Sequence, residues 1–193
     1  MNNTENDTMA IGRFRPKLSF FHPNARGTGG AIEMELHPAH DDTDGSIMLR
    51  LANQLTVGDR TSANPVFPRF DWENAITIRL DFDDLCAFLQ VLRGECESIN
   101  DKRGIFHNYG GMTTKIMFSH MVDETSGYLL EAYRNKPGND ESLHACFRIS
   151  GREALGICEA IAGSMSIIAF GIPMLVPKRE GVKAKGVRNA AAA

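Results

Sequence analysis

Gly30-Ala-Ile-Glu-Met-Glu-Leu-His37 and Thr113-Thr-Lys-Ile-Met-Phe-Ser-His120 decide the fold, because they read as one element written twice. Both are strand-like and end at a histidine. An acid, a threonine, a small polar residue and a glycine follow each, as Asp42-Thr-Asp-Gly45 and Glu124-Thr-Ser-Gly127. That is the chemistry of a tight reversal. A second run then ends in asparagine, Ser46-Ile-Met-Leu-Arg-Leu-Ala-Asn53 against Tyr128-Leu-Leu-Glu-Ala-Tyr-Arg-Asn135. Each half therefore carries a hairpin built the same way.

The repeat extends in both directions. A strand precedes each hairpin, Lys17-Leu-Ser-Phe-Phe-His22 and Gly104-Ile-Phe-His-Asn-Tyr109, with an aromatic–His pair in each (Phe21-His22, Phe106-His107). Downstream, Ile78-Arg79-Leu80 matches Phe147-Arg148-Ile149. Helical stripes follow: Leu85, Phe88, Leu89 and Leu92 in one half, Ala154, Ile157, Cys158 and Ile161 in the other. This spacing marks a helix with one buried face. Asp83 and Asp84, or Glu153, sit in the first turn, where the helix dipole favours anions. Gly94 and Gly163 read as terminators. The first half inserts Gln54 to Asn74, with Pro65, Phe67, Pro68, Phe70 and Trp72, where the second needs only Lys136-Pro-Gly-Asn-Asp140.

The expected fold class is α+β: two pseudo-repeated four-stranded antiparallel sheets, each followed by a helix (ββββα twice). The expected organisation is a flexible tail over 1–12, one domain over 13–175 made of repeats 13–100 and 101–172, and a basic tail over 176–193. The two halves should superpose with His37 on His120 and Arg79 on Arg148.

This doubled order resembles the single-stranded nucleic-acid-binding family that includes the plant Whirly proteins, the Pur-alpha repeats and the kinetoplastid guide-RNA-binding proteins. Gly29-Gly30-Ala31 and Gly110-Gly111 stand where the Whirly signature carries a lysine–glycine run, without its lysines. The resemblance implies a curved sheet surface that binds single strands, and oligomers in some members.

Composition bounds the remaining options. Of 193 residues, 42% are hydrophobic and 23% charged, which argues against wholesale disorder. No run reaches the ~18 apolar residues of a spanning helix, and Met1 to Thr8 lacks the pattern of a secretory signal. The expectation is a cytoplasmic protein without a membrane partner. Cys86, Cys96, Cys146 and Cys158 form no C-x-x-C pair, so free thiols are expected. Net charge is −3, but residues 1–100 carry −6 and residues 101–193 carry +3. The basic C-terminal tail suits either a polyanion or plain solvation.

Single-strand binding needs cations along a backbone path and rings on which bases stack. The candidates are Arg13, Arg15, Lys17, Phe21, Arg26, Arg79, Phe106, Tyr109, Lys115, Tyr128, Tyr133, Arg134 and Arg148, with Phe20, Trp72, Lys102 and Arg103 behind them. Arg13-Phe-Arg-Pro-Lys17 interleaves charge and ring best; its alternative is an ordinary solvated segment. Arg79 and Arg148 point away from their apolar neighbours, onto an open face or into a pair with Asp81 or Glu131. Strand alternation sends only every second ring to a given face.

His37-Pro-Ala-His40-Asp41-Asp42-Thr-Asp44 gathers possible metal ligands but fails the calcium-loop template, so no metal and no cofactor is expected. No phosphate-loop lysine motif, G-x-S-x-G or H-E-x-x-H occurs, so no enzyme is expected. The reading is a single-stranded DNA-binding protein of low sequence specificity, with RNA as second ligand, and a homo-oligomer. Its alternative is a non-catalytic oligomeric interaction or scaffold module.

Overall fold

The computed structural model describes residues 17–39, 42–59, 61, 63–121, 127–135 and 142–171. Both tails, Arg13, Arg15 and the segment Lys136 to Asp140 lie outside the described residues, as do His40 and Asp41. The first half runs β1 (Lys17–His22), β2 (Gly30–His37), β3 (Ser46–Thr56), β4 (Arg69–Phe70), β5 (Ile76–Leu80) and α1 (Phe82–Leu92). A 3-10 turn (Ile99–Lys102) leads to β6 (Ile105–Tyr109), β7 (Met112–Met121), β8 (Gly127–Asn135), β9 (Leu143–Ser150) and α2 (Gly151–Phe170). All pairings are antiparallel. The second sheet has order β6-β7-β8-β9. The first matches it as β1-β2-β3-β5, and the two-residue β4, built from the Gln54–Asn74 insertion, adds a fifth strand on the end of β3. The β6–β7 reversal is the two-residue Gly110-Gly111, at φ +58° and +76°, the backbone that a primed hairpin turn demands.

Register corrects two of the expected matches. Ile32 faces Leu51, and Ile116 faces Ala132, all four in the core. Matching inward faces puts Ile116 on Ile32, and so Met121, not His120, on His37. The His37–His120 match is slipped by one residue, and with period-two alternation such a slip turns every core side chain outward. The next run is slipped likewise, since Leu51 falls on Ala132 and so Asn53 falls on Arg134, not Asn135. The first-strand and fourth-strand matches stand. Phe21 pairs with Ala31 as Phe106 pairs with Lys115, and Arg79 pairs with Met48 as Arg148 pairs with Leu129.

One continuous core joins the halves. Ile32, Leu49 and Leu51 of the first sheet meet Ile116, Phe118, Leu130 and Phe147 of the second, under Leu85, Phe88 and Leu89 of α1 and Ile157 and Ile161 of α2. Phe88 stacks on Phe118 at 4.9 Å, so α1 packs across onto the other half's sheet. Val91 is fully buried beside the expected stripe, whereas Leu92 and Cys158 are only half-buried.

Both helices open with a capping box. The Asp84 amide donates to Asp81 Oδ1 (3.0 Å), and the Asp81 amide donates to Asp84 Oδ2 (3.2 Å). In α2, the Glu153 amide donates to Ser150 Oγ (3.4 Å), and the Ser150 amide donates to Glu153 Oε2 (2.9 Å). The helix ends differ. Gly94, at φ +72°, closes α1 as expected. Gly163 does not close α2, which continues to Phe170 and stops at Gly171. The extra turns persist because their terminal carbonyls find donors outside the helix. The Ala39 amide donates to Ile167 O (3.3 Å) and the Gly45 amide to Ile168 O (3.2 Å), while Ile168 is buried. By length and composition α2 could cross a bilayer, but Ala154, Ile157, Ile161 and Ile168 are in the core.

The caps also tie the halves together. His22 Nε2 of β1 lies 2.7 Å from Glu153 Oε1 at the start of α2. His107 Nε2 of β6 lies 3.0 Å from Asp84 Oδ2 at the start of α1. Each first-strand histidine thus pairs with the cap carboxylate of the other half's helix. Burial pushes the Glu153 carboxyl up, but hydrogen bonds from Ser150 and the contact with His22 outweigh it, and the group titrates below its ordinary value. Burial dominates at Asp84 and holds that carboxyl above its ordinary value, despite the Asp81 amide and His107.

Two predictions follow from this packing. Leu89→Ala should destabilise the fold by about 2–5 kcal/mol, read from the denaturant midpoint, because the leucine is buried between helix and sheet. The two carboxylates should show opposite pH dependence. Glu153, depressed in the folded state, stabilises above its unfolded value of 4.5, and that stability is lost as pH falls through its folded value. The thermal deficit of Glu153→Gln should therefore shrink below pH 4.5. Asp84, raised in the folded state, favours the fold in acid and loses that contribution as pH climbs through its folded value. Asp84→Asn should therefore gain on wild type as pH rises.

Candidate nucleic-acid interface

Alternation sorts the candidate rings and cations by face. On the second sheet Ile116, Phe118, Leu130 and Phe147 point to the core, so Phe106, Lys115, Tyr133 and His144 share the outer face. These four are direct register partners: Phe106 with Lys115, Lys115 with Tyr133, Tyr133 with His144. They form one row across all four strands. Lys115 Nζ stands 5.4 Å from the centre of the Phe106 ring, and Tyr133 stacks on His144 at 4.4 Å and 14°. Glu131 fixes that stack, accepting from Tyr133 Oη (2.9 Å) and lying 3.3 Å from His144 Nε2. Burial, then the Glu131 hydrogen bond, pushes the Tyr133 phenol above its ordinary value, so it stays a neutral donor. Cys146 on the same face is likewise pushed up, by burial and then by Glu131. Arg148 is exposed on this face.

The first sheet carries a different outer face. Phe21 contacts Phe70 (5.6 Å) and Trp72 (6.4 Å), and the Arg50 guanidinium lies over Trp72 at 4.9 Å. Its cations are engaged: Arg50 Nη1 is 2.9 Å and Lys17 Nζ 3.3 Å from Glu33 Oε2. Lys17 is thus neutralised in place.

The remaining candidates scatter. Tyr128 is turned to the core side, packed on Phe118 (5.5 Å) and His120 (5.0 Å), with its hydroxyl donating to Leu92 O (3.4 Å). It does not share a face with Tyr133. Phe20 packs on the core, opposite Ile32. Arg26 is exposed in the β1–β2 loop, and Lys102 and Arg103 are exposed at the 3-10 turn. Arg79 does not pair with Asp81 or Glu131; its Nη2 donates to Asp44 O (2.8 Å). Arg79, Tyr109 and Arg134, from three separate segments, line one cleft of about 550 Å³. Among the described residues no three metal-ligating side chains converge.

Reading residues alone missed His144, Arg50 and Phe70. His144 was within reach, because it lies on the Arg148 face of the same strand, two alternations away. Arg50 and Phe70 were not, since their roles depend on how the insertion folds back on β3.

No known protein family and no curated protein matches the sequence. Solved structures do match the fold. WHY1 from Arabidopsis thaliana is 14% identical with a TM-score of 0.64, over 82% of this chain and 87% of that one. The MRP1/MRP2 proteins of Trypanosoma brucei are 16% identical with a TM-score of 0.53, over 80% and 86%. A guide-RNA-binding protein complex bound to a gRNA gives 15% and 0.52, over 79% and 91%. At these identities the shared property is the fold: this chain is Whirly-like in architecture.

Proposed function

We propose that this protein is a non-catalytic binder of single-stranded nucleic acid, DNA before RNA, with little sequence preference. The observation that carries the reading is the row Phe106–Lys115–Tyr133–His144. It offers rings for stacking and a cation between them, on rigid strands, and ring faces and phosphates carry little base identity. The second repeat, 101–172, is also the less acidic of the two, with 7 Lys+Arg against 8 Asp+Glu where 13–100 has 9 against 13. That similar folds belong to a guide-RNA-binding complex supports the same reading. Arg148 extends the row's face with a second cation.

Affinity for oligo-dT across a salt series tests it. Tyr133→Ala should weaken binding by about 1–3 kcal/mol with the salt slope nearly unchanged. Lys115→Gln should flatten the slope by up to about 0.7. A wild-type protein with no salt-sensitive affinity for any single strand would retire the reading in favour of a protein-interaction module.

Homo-oligomerisation belongs to the same proposal. The outward side of α2 exposes Leu155 (65%) and Phe170 (83%) beside Gly156, Ala160 and Gly163, with Glu159 between them. An apolar face of this kind suits a second copy. Leu155→Glu should lower the mass seen by light scattering; a wild-type protein already monomeric at high concentration would contradict this part.

A further inference from the structure

The two halves meet at two junctions related by the internal repeat, and only one is filled. At the first, β9 packs directly on β2 and β3. Gly30 makes that approach possible: a Cβ there would stand 2.5 Å from the Cys146 carbonyl oxygen. The His22 ring stacks on Phe147 at 4.4 Å and closes the remaining space. At the second junction, register places Thr114 where Gly30 stood, His107 where His22 stood, and Ile78 where Phe147 stood. A threonine in place of glycine holds the strands apart, and an isoleucine in place of phenylalanine leaves the gap open. The result is the cleft of about 550 Å³ between β5 and the β6–β7 hairpin, within the usual ~300–1,000 Å³ of small-molecule sites.

Its lining is specific. Met48, Ile78 and Met112 make an apolar wall, and Tyr109 stands at the mouth with 83% of its surface exposed. Arg79 and Arg134 bring two guanidinium groups. Both are held in place before any ligand arrives. Arg79 Nη2 donates to Asp44 O (2.8 Å); Arg134 Nε donates to Thr114 Oγ1 (3.1 Å) and its Nη2 to Thr77 O. Among the described residues neither makes an ion pair, whereas Lys17 and Arg50 both reach Glu33. The one lining carboxylate, Asp81, is occupied as the cap of α1. Burial lowers the pKa of Arg134 from its ordinary value, the mark of a cation partly withdrawn from water without an anion beside it. Fixed guanidinium forks without carboxylate partners are suited to phosphate.

We propose that this cleft is a nucleotide-phosphate site, with the phosphate between Arg79 and Arg134 and the base against Tyr109 and the methionines. The choice of ligand rests on the nucleic-acid reading above. The same chemistry is supplied by a free nucleotide or by the phosphorylated end of a strand.

Calorimetric titration of the full chain with dTMP and with thymidine, at low salt, tests it. The expected result is saturable dTMP binding, with thymidine weaker by about tenfold or more and Arg79→Gln losing a similar factor. Tyr109→Ala, at an exposed position, should weaken dTMP without altering the thermal midpoint. Undetectable dTMP binding, equal binding of dTMP and thymidine, or unchanged affinity in both variants would overturn the site. Oligo-dT with a 5′-phosphate or a 5′-hydroxyl separates the sources. A preference for the phosphate, lost in Arg79→Gln, assigns the strand end; equal oligomer binding beside intact dTMP binding assigns the free nucleotide. Binding of dTMP without any oligomer binding keeps the cleft and retires the row as a single-strand surface. Oligomer binding without dTMP binding does the reverse.

Discussion

Each half of this molecule is held by the other half's helix start. His22 reaches Glu153 and His107 reaches Asp84, and both acids already belong to capping boxes. A cap carboxylate has more than one acceptor direction. In Glu153 one oxygen takes the Ser150 amide and the other meets His22, whereas in Asp84 the oxygen that takes the Asp81 amide is also the one 3.0 Å from His107. The helix ends therefore cannot move without disturbing the sheets. This reciprocal arrangement places α1 over Phe118 of the second sheet and lets one core serve both halves. The opposite pKa directions of the two acids show that the pair is not chemically symmetric. Glu153 has enough donors to offset its burial, and Asp84 does not.

Much of this architecture is legible in the sequence, for local reasons. The hairpins show because turn chemistry and strand pattern are both short-range. The helices show because Leu85, Phe88 and Leu89 recur at helical spacing above an acidic first turn. What fails is phase and reach. The slip between His37 and His120 arises because both terminal histidines look alike, while the inward side is set by Ile32 and Ile116 in the middle of the strands. Gly163 has the composition of a stop, but the stop is decided by Ala39 and Gly45, amides supplied from the distant β2–β3 loop. The cross-pairing of histidines and caps is likewise invisible, although Ser150-x-x-Glu153 is a readable capping box.

The same limits govern the site. Phe106, Lys115 and Tyr133 were visible as residue types, but only register makes them neighbours. Tyr128 and Tyr133 look equivalent by composition and lie an odd number of positions apart, so the pleat sends one to the core and the other to the open face. Lys17 looks like a free cation until β2 brings Glu33 and Glu35 beside it. Rings are informative in a strand only once their parity against the core is known.

Duplication gives a physical reason for the division of labour between the halves. Two copies of one junction need not both be filled for the molecule to stay folded. Gly30, Phe147 and His22 close the first and let β9 bear directly on β2. With that contact secure, Thr114 and Ile78 can leave the second open. The outer faces diverge in the same way. On the first sheet Glu33 neutralises Lys17 and Arg50 where they stand, and Phe21, Phe70 and Trp72 pack on one another. On the second, the position matching Ala31 is Lys115 and the position matching Ala52 is Tyr133. Small side chains on one sheet let the aromatic insertion fold down, and large ones on the other, with no counterpart to the β4 strand over them among the described residues, leave a row of rings facing outward.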